Sequence, residues 1–168
     1  MSISTLDRYE WRELEPGAPD PKQRLKAVRA LSDAGIDVGI GIAPVIPGVS
    51  DSREILEAVV RAARRAGATR VWSRGLYLAP GTREHFLEAL SKAWPEEGAR
   101  YAQLYARGAY LAKEEDERLR DKVRGLAREV GVKDRRSIRL EPDAAAQEEA
   151  PGGQLGLGLS TAPAACRA

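Results

Sequence analysis

Cysteine is almost absent: Cys166, near the end of the 168 residues, is the only one. One thiol excludes an internal disulfide framework and a metal cage built from cysteines, and it fits a reducing compartment. Histidine is equally scarce. His85 stands alone beside Phe86 in a helical pattern, where a surface or packing role suits it better than catalysis. No apolar run approaches the roughly 20 residues needed to cross a bilayer. The opening MSISTLDRYEWRE lacks the charged-then-apolar order of a secretory leader. A soluble cytoplasmic protein with no membrane role is therefore expected. Net charge is also small, with 27 basic against 25 acidic side chains, so the chain as a whole makes no electrostatic case for nucleic acid. Trp11, Trp72 and Trp94 are scattered without a basic stripe and read as core or edge residues.

What is present is an alternation. Ser2–Thr5 reads as a short strand, followed by a polar loop closed by Glu15-Pro16-Gly17-Ala18-Pro19. Asp20 is a good N-cap and Pro21 occupies the first helical position, where its missing amide hydrogen costs nothing. Leu25, Val28 and Leu31 recur at helical spacing until Gly35. Val38–Ile46 is nearly continuously apolar, as in a strand buried on both faces, with Pro44 and Pro47 ending its pairing. Asp51 or Ser52 caps a second helix carrying an Ile55, Leu56, Val59, Val60 and Ala63 stripe, and Arg70–Leu78 forms the third strand. Parallel α/β structure is the class this pattern predicts. After Pro80 only helices follow, one around Phe86–Trp94, one around Tyr101–Tyr105 and one around Leu119–Val130. The start of the last, at Lys113-Glu114-Glu115-Asp116-Glu117-Arg118, reads as a solvated first turn.

The expected organisation is thus an α/β segment over 1–80, a helical region over 81–140 and a disordered tail over 141–168, where Ala, Pro, Gly and acidic residues dominate. Within that tail Gln154–Leu159 loosely resembles peptides that dock on bacterial sliding clamps, but with two glycines and no aromatic the plain reading is a flexible end.

Chemistry in parallel α/β folds gathers at the C-terminal ends of the strands. Three ends are candidates: Ser2, Ser4, Thr5 and Asp7; Ala43 to Gly48; and Arg74 with Tyr77. Hydroxyls there serve either a ribose or carboxylate or the turn's own backbone, and the prolines either frame a planar ligand or end the strand. Arg24, near the start of the first helix, reaches an anion at the rim or stands as a solvated charge. Gly39-Ile40-Gly41 falls inside a strand, so it is no phosphate loop. An unrelated small α/β enzyme using Ser4, Asp7 or Tyr77 would lack a base paired to its nucleophile.

Taken in order, Ser2-Ile3-Ser4-Thr5-Leu6-Asp7, Leu14–Pro19, Arg24-Leu25, Ala34-Gly35-Ile36 and Ala43-Pro44-Val45-Ile46-Pro47-Gly48 resemble the later half of the radical S-adenosylmethionine core in the group similar to spore photoproduct lyase. The resemblance covers about residues 1–80. It implies a partial (β/α) barrel fragment, three parallel strand–helix units standing for the fourth to sixth strands. It also implies S-adenosylmethionine as cofactor, with ribose or methionine contacts at Ser2 and Ser4, Arg24 near the cofactor carboxylate, and Ala43-Pro44 beside the adenine. Nucleic acid is a partner the resemblance allows.

The same resemblance implies a four-iron four-sulfur cluster held by a CxxxCxxC loop, and this chain has no such loop. A sheet beginning at Met1 is expected to leave an unpaired edge and an open apolar face, requiring a missing N-terminal half or a partner chain. The expected function is therefore a C-terminal portion of a radical S-adenosylmethionine protein, inactive by itself. The alternative is a non-catalytic α/β module that binds a partner.

Overall fold

The computed structural model describes residues 1–134. Six helices, α1 Arg8–Leu14, α2 Pro21–Asp33, α3 Arg53–Arg65, α4 Thr82–Ala93, α5 Gly98–Leu104 and α6 Lys113–Val130, accompany three strands, β1 Gly39–Val45, β2 Arg70–Gly75 and β3 Lys133–Asp134. A single 3-10 turn, Pro95–Glu97, joins α4 to α5. The sheet order is β1-β2-β3, and both pairings are parallel.

The expected partial barrel of three parallel strand–helix units is not formed. Only β1 and β2 are parallel strands of any length, β3 having two residues, and helices dominate a mixed α/β fold. The segment expected as a first strand contributes one isolated parallel bridge, Ser2 to Gly41. Its hydrogen bonding turns local almost at once. The Thr5 hydroxyl accepts from the Asp7 amide, and the Asp7 carboxylate accepts from the amides of Tyr9 and Glu10, so α1 starts where a polar loop was expected. The expected tail over 141–168, with Gln154–Leu159, lies outside the described residues.

Where capping chemistry is explicit in the sequence, the elements start as expected. Asp20 accepts from the Lys22 amide ahead of α2, and Ser52, rather than Asp51, accepts from the Ile55 amide ahead of α3. Asp51 instead accepts from the Gly48 amide and braces the turn before the cap.

The two faces of the sheet differ. Ile40, Ile42 and Val71 are fully or almost fully buried and belong to one core with Val28, Leu56, Val59, Val60, Val123 and Leu126. The other face carries Gly39 and Gly41, which pair with Arg70 and Trp72. A side chain on Gly41 would begin 2.6 Å from the Trp72 ring, and one on Gly39 would begin 2.9 Å from the Arg70 stem. The two β2 side chains therefore lie across β1 in space that only glycine leaves open. β1 is accordingly buried on both faces only in part, because its glycines give one face to its neighbour's side chains.

The helical region is tied to the strand ends. The Tyr101 hydroxyl donates to the Pro47 carbonyl at 2.9 Å, and the Tyr105 hydroxyl donates to the Leu76 carbonyl at 2.8 Å. One short helix and its C-cap thus hold the segments that follow β1 and β2. From α6, the Asp116 carboxylate accepts from the Gly75 amide at 3.0 Å. Among the described residues, no helix is long and apolar enough to cross a membrane.

Candidate functional site

β1 and β2 end side by side, and Val45 pairs with Gly75 after an irregularity that begins past Ile42. At these ends lies a cleft of about 430 Å³, lined by Ala43, Pro44, Arg74, Gly75, Leu76, Tyr77 and Tyr110. The Ala43-Pro44 peptide is cis. Tyr77 and Tyr110 are 47% and 61% exposed, with ring centroids 4.5 Å apart and planes tilted by 40°. Two tyrosines this open on a folded surface offer aromatic faces and hydroxyls to something outside the chain. Arg74 is exposed and has no ion pair within 4 Å among the described residues. The cleft therefore joins aromatic faces, a proline edge and a cation, a combination suited to a planar ligand bearing an anionic group.

Beside it runs a polar network. The Ser2 hydroxyl donates to the Ala43 carbonyl at 2.5 Å, and the Ser4 hydroxyl donates to Glu15 Oε1 at 2.5 Å. Arg24 gives Nη2 to Glu15 Oε2 at 2.6 Å, Nη1 to the Ser2 carbonyl at 3.1 Å and Nε to the Pro19 carbonyl at 2.8 Å. All five residues named from the sequence are thereby brought together: Ser2, Ser4 and Arg24 by this network, Ala43 as acceptor, and Pro44 in the cleft wall. The structure gives them different tasks, however. With its side chain 10% exposed and each nitrogen engaged within the chain, Arg24 clamps the start of α2 to the N-terminal segment. Arg74 is the cation left facing the cleft.

Glu10 lies on the same N-terminal segment. It is 8% exposed, and its Oε2 has no hydrogen-bond partner. Burial raises its pKa, the neighbouring Asp7 adds to the rise, and the Thr5 hydroxyl opposes it. Among the described residues no three His, Cys, Asp or Glu side chains are grouped to hold a metal ion.

No family model matches the chain, and no solved structure matches it. It is similar to curated proteins described as uncharacterized. One from Mycobacterium tuberculosis is 39% identical over 126 residues, covering 75% of this chain and 37% of the relative. One from Mycobacterium bovis stands at the same identity and coverage. A protein of Acidianus two-tailed virus is 31% identical over 93 residues, covering 54% of this chain and 31% of its own length. The chain thus spans about a third of the length of the curated relatives it matches, between 31% and 37%.

Three residues of this region were not foreseen from the sequence alone: Tyr110, Glu15 as the partner of both Ser4 and Arg24, and Asp116 beneath Gly75. Glu15 stood in a loop string with no periodic signal. Tyr110 sat in a glycine-containing connection, Arg107-Gly108-Ala109-Tyr110, where an aromatic residue carries no positional rule. The one signal that could have found it was the pair Tyr77 and Tyr110 as polar-tipped aromatics in loops next to strand and helix ends.

Proposed function

We propose that this chain is part of a radical S-adenosylmethionine protein similar to the spore photoproduct lyase group, and that it contributes the cleft holding the adenosine and carboxylate of the cofactor. One observation carries the reading. Residues assigned from separate stretches of the sequence converge on one polar network, and that network borders a cleft at the carboxyl ends of two parallel strands.

The residues present fit the cofactor's nucleoside half. A cleft of about 430 Å³ is within the range of small-ligand sites, roughly 300–1,000 Å³. Pro44, Tyr77 and Tyr110 would cover the adenine, and Arg74 would pair with the carboxylate. Ser2 and Ser4 hold the N-terminal segment, and so the rim, in place. When bound, the cofactor supplies a sulfonium whose carbon–sulfur bond can be cleaved by one-electron reduction. An iron–sulfur cluster does not fit: three thiolates must converge on it and this chain has one cysteine. In this reading those ligands come from other polypeptide, in keeping with relatives far longer than the matched segment.

The test is binding, which needs no cluster. Calorimetric titration of the purified chain with S-adenosylhomocysteine is expected to show saturable one-site binding. Arg74→Ala and Tyr110→Ala should each weaken it at least tenfold while leaving Tm unchanged, because both side chains are exposed. Arg24→Ala should instead lower Tm, since it removes the donor to Glu15 Oε2 and to the Ser2 and Pro19 carbonyls. Absence of saturable binding by the folded chain would sink the proposal.

A further inference from the structure

A second groove lies away from the strand ends, between α2 and α3. The two helices meet at their C-terminal ends, where Arg29 donates to the Arg65 carbonyl and the Ser32 hydroxyl donates to the Gly67 carbonyl. The groove they leave is about 340 Å³. Its floor is apolar, made by Leu25 from α2 and by Ala62 and Ala66 from the end of α3. Its rim is cationic throughout: Lys22, Lys26 and Arg29 on one side, Arg65 on the other.

Lys22, Lys26 and Arg29 stand at i, i+4 and i+7 and so form one stripe along α2, about 10 Å long at 1.5 Å per residue. Only Arg29 has an acidic neighbour, Asp33 at 3.8 Å. Among the described residues Lys22, Lys26 and Arg65 have no anionic partner within 4 Å, although several other helical arginines here are paired along their own helix, as Arg61 is with Glu57 and Arg120 with Asp116. In a chain whose total charge is only +2, four cations around one groove are a local concentration of one sign.

We infer that this groove is a docking surface for an acidic amphipathic helix of a partner protein, about two turns long. Charge complementarity selects the partner's flanks: glutamates or aspartates on both sides meet the α2 stripe and Arg65. The apolar floor selects its centre: Leu25 is half-buried and Ala62 and Ala66 are 6% and 7% exposed, so the groove of about 340 Å³ is shallow and takes an apolar side chain chiefly against Leu25. A polynucleotide would match the charge but gains nothing from the floor. Leu25, Ala62 and Ala66 offer neither an aromatic face for a base nor a donor for a sugar. The inference is independent of the cofactor reading, since it concerns other residues and another ligand.

The test is fluorescence anisotropy on the full chain with a labelled 14-residue peptide, leucine at helical spacing on one face and glutamate on both flanks. Saturable binding is expected. It should weaken at least tenfold when the peptide's leucines become alanine, and at least tenfold when the protein carries Lys22→Glu with Lys26→Glu. The α6 double reversal Lys113→Glu with Arg118→Glu changes net charge equally and should leave affinity within about twofold. All four positions are on the surface, and circular dichroism checks that both variants fold. Three outcomes overturn the inference: no binding, equal loss in both double variants, or an alanine peptide or a 14-nucleotide oligothymidylate binding as tightly as the leucine peptide.

Discussion

Tyr101 and Tyr105 show how much can rest on a single atom. Both phenol groups are buried, their rings stack at a centroid distance of 5.7 Å, and each hydroxyl satisfies a strand-end carbonyl. Burial raises both phenol pKa values well above the ordinary 10.0, and neighbouring side chains such as Glu97 and Asp116 add to the effect. The sign of the linkage follows. Above about pH 10 the unfolded chain releases these protons while the folded chain keeps them, so stability should fall as pH rises past that point. Tyr101→Phe would strand the Pro47 carbonyl and is expected to cost about 1–3 kcal/mol at neutral pH. Its denaturant midpoint should then decline less steeply than wild type between about pH 9.5 and 11. An unchanged midpoint at pH 7 would show the hydrogen bond to be dispensable.

Among the elements, the pair β1–β2 depends on what β1 omits. Gly41 is tolerated in a strand, where glycine ordinarily costs stability, because the Trp72 ring occupies the place of its side chain. Gly41→Val should push the indole off the sheet, cost roughly 1–3 kcal/mol and shift tryptophan emission. Gly17→Ala should not do so, because a methyl group there would meet nothing within 4 Å. Equal effects at the two positions would remove Trp72 from the explanation. Much at this scale was legible beforehand. The α2 and α3 starts were visible in Asp20-Pro21 and in the pair Asp51-Ser52, because an N-cap acts within three residues of itself. α1 was not, since its signal is the single residue Asp7 and its seven residues show too little periodicity to stand out.

For the whole molecule, α6 is the element that closes the core. It packs on β2 and α3 and buries Leu119, Val123, Leu126 and Ala127. Leu126→Ala is expected to cost about 2–5 kcal/mol, read as a lower denaturant midpoint with one cooperative transition. A drop confined to helical signal, with Trp72 emission unchanged, would mean that α6 is a separable appendage.

The sequence by itself determined the α/β alternation, the positions of α2, β1, α3 and β2, and which of these strand ends carry prolines and an arginine. Each of these follows from interactions among residues within a turn or two of one another. Tertiary structure decided that the first segment makes one bridge instead of a strand, that Arg24 is consumed by Glu15 and two carbonyls, and that Tyr110 comes to stand beside Tyr77. It also set Lys22 and Lys26 opposite Arg65. Those outcomes depend on partners remote in sequence, such as Tyr101 and Pro47, 54 positions apart. Such a pairing forms only when the core brings both ends to one place, and no local rule of composition or spacing carries that information.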